Sequence, residues 1–257
     1  MIAAVEEPET RTRRRSERRP TPAAAGTVAP EAVAPTPPVS RCHARPLLLG
    51  CTARPGQVVR REAAQALARL VAPDDHWRLF PELSGAALYF DIETTGLDED
   101  DAITVVGLSD GRRARALVQG RDLTGRALGR ALRQARLLVS WNGLAFDLPR
   151  LRRRFPGLPW DLPHLDLAVC SRRLGLPGAL KGAERVLGRR RPAALEGIDG
   201  AEAARLWRRH EAGVRGAARL LADYCRQDVV SLVELAPLLQ ARMQRRFGAA
   251  SLLLPSA

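Results

Sequence analysis

Short apolar runs bounded by turn residues occupy the middle of the chain, whereas its last third has the apolar spacing of helices. Such runs are typical of buried strands. Thr124 is placed to cap a helix that continues to Arg136. The predicted strands are 86–91, 102–108, 113–118 and 137–141, and further helices are predicted at 145–154 and 216–239 and throughout the region after Pro177. This order favours an α/β fold with a mixed central sheet flanked by helices.

Composition divides the chain into segments. Residues 1–40 are rich in Pro, Ala, Arg and Glu and lack aromatic residues, which predicts a disordered tail. Residues 41–84 hold a possible strand at 46–50 and an amphipathic helix at 61–70, and we interpret them as an N-terminal extension that packs on the core. The main domain is predicted at 85–245, with a C-terminal tail at 246–257.

Two acids, Asp91 and Glu93, stand at the end of the first predicted strand. Alternation along a strand points both side chains to the same side. Desolvation penalises charges at the mouth of an apolar strand unless a cation compensates them. The pair therefore indicates either a divalent-metal site or a strand that simply ends in a polar turn.

A third acid, Asp147, falls in the first turn of the predicted helix 145–154. An acid at that position is stabilised by the helix dipole, which needs no functional role. The neighbours Phe146, Leu148 and Leu151 are apolar, however, and this pattern favours an inward-facing Asp147.

Tyr224 and Asp228 lie four residues apart and therefore on one face of the predicted helix 216–239. That face is otherwise apolar, with Leu221, Leu232 and Leu235. Packing alone would favour an apolar residue at position 228, so a buried Asp228 requires a partner. The partner is either a metal ion or, with a purely structural role for Asp228, an arginine or capping donors.

Asp91, Glu93, Asp147 and Asp228 together offer hard oxygen ligands, and no His or Cys cluster accompanies them. This donor set suits Mg²⁺ or Mn²⁺ rather than zinc. It is sufficient for two ions, one activating a water and one stabilising the leaving oxygen of a phosphodiester. Tyr224 would orient the attacking water, because a phenol with an unperturbed pKa near 10 is a poor base at neutral pH.

Three stretches carry a family resemblance: DIETTGL from Asp91 to Leu97, WNGLAFDLP from Trp141 to Pro149, and YCRQD from Tyr224 to Asp228. They resemble the three motifs of DEDD-superfamily 3′–5′ exonucleases, a branch of the ribonuclease H-like fold. Tyr224, four residues before the last acid, implies the tyrosine subtype. The segments HLDL at 164–167 and ALKGAERVLG at 179–188 resemble the YprB-type group.

The resemblance implies catalytic roles for Asp91, Glu93, Asp147, Tyr224 and Asp228, with the four acids as metal ligands. It also implies a site for the terminal nucleotide, formed by Thr94, Thr95, Gly96 and Leu97 and supported by Asn142 and Phe146. The two threonines and Gly96 are equally compatible with an ordinary strand and turn. We interpret Asp166 as a structural hydrogen-bonding acid, with metal ligation as the alternative. Lys181 and Glu184 are interpreted as helix-surface or local ion-pair residues.

A formal net charge of +13 suits a polyanionic partner. Lys181 is the only lysine among the 41 basic residues, so genome composition explains part of this bias. Arginines cluster at 112–115, 150–154, 189–191 and 242–246. The group formed by Arg150, Arg152, Arg153 and Arg154 is predicted to meet a phosphate backbone, because it shares a helix with Asp147. A solvated basic surface without a ligand is the alternative.

Four scattered cysteines without a CxxC pair predict a reduced, cytoplasmic protein. No apolar run approaches the length of a membrane span, and no organic cofactor is expected. The leading hypothesis is a metal-dependent 3′–5′ exonuclease acting on DNA or RNA with a free 3′ end. A structure-selective or RNA-cleaving endonuclease and a catalytically silent nucleic-acid-binding module are the alternatives.

Overall fold

A computed structural model describes residues 59–176 and 178–248. The predicted tail at 1–40, the possible strand at 46–50 and the last residues of the chain lie outside the described ranges. No helix in the part of the chain described is long and apolar enough to cross a membrane.

A five-stranded mixed sheet forms the centre, with strand order β3-β2-β1-β4-β5. The strands are β1 (Ala87–Thr94), β2 (Ile103–Ser109), β3 (Ala114–Val118), β4 (Leu137–Ser140) and β5 (His164–Asp166). β1 pairs antiparallel with β2 and parallel with β4, and β5 adds parallel to β4. The α/β fold class and the mixed sheet predicted from the sequence are confirmed.

Helices cover the sheet. They are α1 (Arg61–Leu70), α2 (Phe80–Leu83), α3 (Gly125–Gln134), α4 (Asp147–Arg154), α5 (Leu167–Arg173), α6 (Leu180–Val186), α7 (Gly200–Glu211) and α8 (Ala217–Phe247). Short 3₁₀ segments occur at Pro73–Leu79, Ser84–Ala86 and Ala193–Leu195. The side chain of Thr124 accepts a hydrogen bond from the Ala127 amide, so the predicted cap of α3 is confirmed. α8 continues eight residues beyond the predicted end at Leu239.

Residues of β1 alternate between two apolar cores. Leu88, Phe90 and Ile92 belong to the core that also contains side chains of α3 and α4. Ala87 and Tyr89 belong to the core that contains the buried face of α8. Because side chains alternate along a strand, Asp91 and Glu93 continue the row of Ala87 and Tyr89 towards α8.

The segment before the sheet packs against the core that contains the buried face of α8. Trp77, Phe80 and Leu83 are buried beside Val139 of β4. Arg61 in α1 donates hydrogen bonds to the carbonyl oxygens of Leu132 and Pro159, at 2.5 and 2.6 Å. These contacts fix α1 to the end of α3 and to the loop before β5.

Candidate active site

Asp91 and Glu93 lie on the stretch of β1 that β4 does not reach. The parallel pairing with β4 ends at Tyr89, whereas the antiparallel pairing with β2 continues past Glu93. The ladder shifts register between Glu93 and Thr94, an irregularity that often re-aims side chains beside functional sites. Ligand atoms of Asp91, Glu93 and Cys225 all lie within 4.8 Å of one another. The two acids therefore share one side of the strand, as the sequence predicted.

Asp147 reaches the same strand from α4. It is the first residue of α4 and only 4 % exposed. Its carboxylate Oδ1 accepts a hydrogen bond from the backbone N–H of Ile92 at 3.1 Å. This hydrogen bond lies beyond Tyr89, where the pairing of β1 with β4 ends, and it fixes Asp147 beside Asp91 and Glu93. The predicted inward orientation is thus observed.

α8 brings Tyr224, Cys225 and Asp228 to the site. Tyr224 and Asp228 are each 6 % exposed, so both lie on the inward face of the helix. The Cys225 thiol donates towards the backbone oxygen of Asp91 at 3.6 Å and towards its Oδ2 at 3.5 Å. We refer to Asp91, Glu93, Asp147 and Asp228 as the acidic cluster.

A buried ion-pair chain, which we call the Glu184–Arg191–Asp228 chain, adjoins the cluster. Arg191 donates three hydrogen bonds to the Glu184 carboxylate, at 2.8, 2.8 and 3.1 Å. Its Nη2 also lies 2.5 Å from Asp228 Oδ1. Of the two interpretations of Glu184, the local ion pair is observed, whereas the helix-surface position was wrong, because Glu184 is 3 % exposed. Glu184 lies one helical turn after Leu180 on the apolar face of α6, a signal that was present in the sequence.

Burial and mutual repulsion dominate the electrostatics of the cluster. Burial, followed by the charges of the other acids, raises the pKa of Asp91 and of Glu93 well above the usual range. Burial raises the pKa of Asp147 to about 7. It raises the pKa of Asp228 to about 6, although the adjacent Arg191 opposes the shift.

The donor chemistry of the acidic cluster fits divalent cations. Several carboxylates face one another, and Asp228 has the arginine partner that its sequence context allowed, because Arg191 Nη2 lies 2.5 Å from Asp228 Oδ1. The acids still raise one another's pKa values, and a hard divalent cation would remove this repulsion. The thiol of Cys225 is a softer donor, and burial beside these acids raises its pKa, which keeps it protonated.

The raised pKa values predict how the stability of the metal-free protein depends on pH. Folded Asp147, with a pKa of about 7, holds a proton that an unfolded aspartate loses near pH 4. The folded state therefore binds more protons than the unfolded state between about pH 4 and 7, and stability falls as the pH rises through this window. One pKa unit corresponds to about 1.4 kcal/mol, so we expect the melting temperature in a metal chelator to drop by at least roughly 3 °C between pH 5 and 7.5.

Asp147→Asn is the matched variant for this measurement. It removes the titrating group, so its melting temperature should depend less on pH than that of the wild type. A wild-type melting temperature that stays constant or rises between pH 5 and 7.5, with the same slope in Asp147→Asn, would contradict the prediction. Calorimetric scans of the two proteins at several pH values make the comparison.

The residues predicted to contact a terminal nucleotide form the loop after β1. The hydroxyl groups of Thr94 and Thr95 are engaged internally, with Gly96 O at 2.5 Å and Asp101 Oδ1 at 2.8 Å. Gly96 is packed so closely that an added Cβ would lie 2.5 Å from Asp101 Oδ2. Leu97 is 82 % exposed and is therefore the member of this group whose side chain is open to a ligand.

Asn142 and Phe146 frame the turn before Asp147. Asn142 adopts a left-handed backbone conformation with φ of 59°, which non-glycine residues adopt only occasionally. Its backbone N–H and that of Leu144 donate to the Asp166 carboxylate, at 2.8 and 3.1 Å. Asp166 also caps α5 through the Ala168 amide. The structural role predicted for Asp166 is confirmed.

Arg150 does not take the phosphate-binding role that we predicted for it. Its side chain is buried and donates to the carbonyl oxygens of Leu97 and Asp98, at 2.6 and 3.0 Å. Its guanidinium also stacks 3.7 Å from the centroid of the Phe146 ring. Arg150 thereby ties the loop after β1 to α4, whereas Arg153 and Arg154 on the same helix are exposed.

Sequence comparison places the chain in a family. Residues 88–240 match the profile of the RNase H superfamily. This match spans more than half of the chain, and the chain belongs to that superfamily. No curated protein sequence matches the chain.

Two solved structures are similar over part of the chain. The family B DNA polymerase from the hyperthermophilic archaeon Pyrobaculum calidifontis is 20% identical with a TM-score of 0.49, over 60% of this chain and 24% of the polymerase. RNase D from Escherichia coli, an exoribonuclease involved in structured RNA processing, is 17% identical with a TM-score of 0.46, over 75% of this chain and 46% of RNase D. The chain thus spans less than half the length of either protein.

Proposed function

We propose that this member of the RNase H superfamily is a divalent-metal-dependent 3′–5′ exonuclease of DNA or RNA. Within the superfamily we assign it to the tyrosine subtype of the DEDD exonucleases and to their YprB-type group. The observation that carries the proposal is the convergence of largely buried acids from β1, α4 and α8 around the end of β1. A charge cluster of this kind lowers the stability of the metal-free fold, and ion binding is the function that accounts for it.

The acidic cluster would hold two Mg²⁺ or Mn²⁺ ions. When bound, such ions lower the pKa of a water and neutralise charge that develops on a phosphodiester. The protein fixes the ligands in advance: Asp147 is held by the Ile92 amide, and Asp228 is held next to Arg191. Leu97 would pack against the terminal base, because its exposed side chain projects from the loop that follows Glu93.

Tyr224 would position the attacking water. Burial and the charges of the acidic cluster raise the pKa of its phenol, so the hydroxyl stays protonated and acts as a hydrogen-bond donor and acceptor. We expect Tyr224→Phe to lower kcat by roughly 10² to 10³, by analogy with the loss of a single positioned donor. The Mn²⁺ affinity should stay unchanged, because no ligand is lost. Single-turnover hydrolysis and calorimetric Mn²⁺ titration test both parts, and an equal fall in kcat and Mn²⁺ affinity would contradict the assigned role.

End-labelled and circular substrates test the proposed function. With Mg²⁺, we expect stepwise shortening of linear single-stranded DNA or RNA from the 3′ end and no cleavage of circles. Cleavage of circular substrates would replace the proposal by the endonuclease alternative. Absence of hydrolysis together with absence of Mn²⁺ binding, and a nucleic-acid affinity unchanged by Asp91→Ala, would replace it by the binding-module alternative.

A further inference from the structure

The guanidinium of Arg191 is fixed along one of its edges. The side chain is 7 % exposed, and its Nε and Nη2 atoms donate to the Glu184 carboxylate along the lateral edge of the group. This bidentate arrangement fixes the orientation of the planar guanidinium. Burial by itself would lower the pKa of Arg191, but the hydrogen bonds to Glu184 and the charge of Asp228 outweigh it, and Arg191 remains charged.

The terminal edge of the same guanidinium faces the acidic cluster. On that edge Nη2 contacts Asp228 Oδ1, whereas Nη1 is buried and has no hydrogen-bond acceptor among the described residues. A buried donor without an acceptor costs about 1–3 kcal/mol. Such a group in a native structure requires an explanation, and a ligand that supplies the acceptor is one.

The surroundings of Arg191 favour an anionic ligand. Its Cζ lies 5.6 Å from the centroid of the Tyr224 ring, and Lys181 Nζ lies 5.1 Å from the same centroid. Two cations thus flank the tyrosine next to the acidic cluster. A phosphodiester that approaches these acids is repelled unless positive charge is provided close by. Metal ions provide part of that charge, and a fixed guanidinium provides more with a defined geometry.

We propose that Arg191 is a phosphate-binding catalytic residue, whose Nη1–H donates to a non-bridging oxygen of the scissile phosphodiester beside Asp228. This proposal rests on the proposed nuclease function and adds the group that recognises the substrate phosphate. Glu184 is the positioning residue: it orients the guanidinium before substrate arrives, which reduces the entropy lost on binding. The alternative is that Arg191 only neutralises the charge of Asp228. Loss of the guanidinium lowers the affinity for a substrate phosphate in the first role but not in the second.

Three equilibrium and kinetic measurements separate these roles. They are Mn²⁺ affinity by calorimetry, affinity for thymidine 5′-monophosphate in the presence of Ca²⁺, and hydrolysis of the 4-nitrophenyl ester of that nucleotide with Mn²⁺. For Arg191→Met we expect kcat/KM to fall by roughly 10² to 10³. The monophosphate affinity should fall about 10- to 100-fold, as for loss of a charged hydrogen bond. The Mn²⁺ affinity should stay within about threefold of the wild type, because all four acids remain.

Companion variants protect the test against misfolding. Arg191→Met leaves Glu184 as an unpaired buried charge, so the double variant Glu184→Gln with Arg191→Met is measured as well. Arg191→Lys keeps the positive charge but loses the planar, bidentate donor geometry of the guanidinium. It should recover only a small part of the monophosphate affinity lost in Arg191→Met. Arg189→Met is the matched control, since Arg189 lies two residues away in an exposed pair with Glu234. Arg189→Met should keep the wild-type kcat/KM, monophosphate affinity and Mn²⁺ affinity.

The outcomes distinguish this proposal from the nuclease function. Unchanged monophosphate affinity in Arg191→Met and in the double variant, or a Mn²⁺ affinity that falls as much as kcat/KM does, overturns the phosphate-binding role. A wild-type protein that degrades nucleic acid but shows either result retains the nuclease function and loses only this proposal. A wild-type protein that hydrolyses no substrate, yet binds the monophosphate in an Arg191-dependent manner, retains the phosphate site and loses the nuclease function.

Discussion

Replacing Asp91 or Asp228 by asparagine is expected to lower Mg²⁺-dependent hydrolysis by more than about 10³-fold, because each change removes a ligand and the transition-state charge stabilisation that depends on it. The two variants should differ in stability. Burial and the neighbouring acids disfavour the charged form of the Asp91 carboxylate. Asp91→Asn should therefore raise the melting temperature of the metal-free protein at pH 7.5. Asp228→Asn loses the ion pair with Arg191, so this change should not raise the melting temperature.

Asp223→Asn is the matched control for these variants. Asp223 lies on the same helix as Asp228, but its side chain is 41 % exposed and pairs only with Arg219 and Arg226 among the described residues. Its loss should leave hydrolysis and Mn²⁺ affinity unchanged, since exposed ion pairs contribute little. Purified Asp91→Asn and Asp228→Asn proteins that bind Mn²⁺ and hydrolyse substrate like the wild type would show that the acidic cluster is not the reaction centre.

The sequence predicted the parts of the site that depend on local periodicity. Alternation along β1 placed Asp91 and Glu93 on one side, and helical spacing placed Asp228 among apolar neighbours of α8. Both are consequences of a buried face, which a single stretch of sequence reveals. The same reasoning applied to α4 would have placed Arg150 on the buried face with Asp147 and Leu151, as the structure has it.

Arg191 could not be predicted in this way. It follows α6 in a segment without helix or strand, within a run of three arginines whose other members are exposed. No periodicity distinguishes the buried member of such a run from the solvated ones. The distinction arises from the path of the chain, which brings Arg191 between Glu184 and Asp228. Long-range pairing of this kind is a property of the tertiary fold alone.

Gly107→Ala is expected to destabilise the protein by about 1–3 kcal/mol, because α8 rests directly on this strand position. Gly107 pairs with Asp91 across the ladder. An added Cβ would lie 2.6 Å from Val229 Cγ2 and 2.8 Å from the backbone oxygen of Cys225. A change of rotamer can relieve the first contact, whereas the second requires a shift of the helix.

That shift would reach the acidic cluster, because the same helix carries Asp228. A displacement of about 1 Å at reacting groups can cost roughly 10²-fold in rate, so Gly107→Ala should lose activity as well as stability. Strand propensity alone predicts the opposite sign, since alanine in a strand interior normally stabilises relative to glycine by about 0.5–1 kcal/mol. Gly85→Ala is the control, as no atom lies within 4 Å of its added Cβ. Urea unfolding of both variants decides the sign: a Gly107→Ala protein as stable as Gly85→Ala would mean that α8 does not press on β2 at this point.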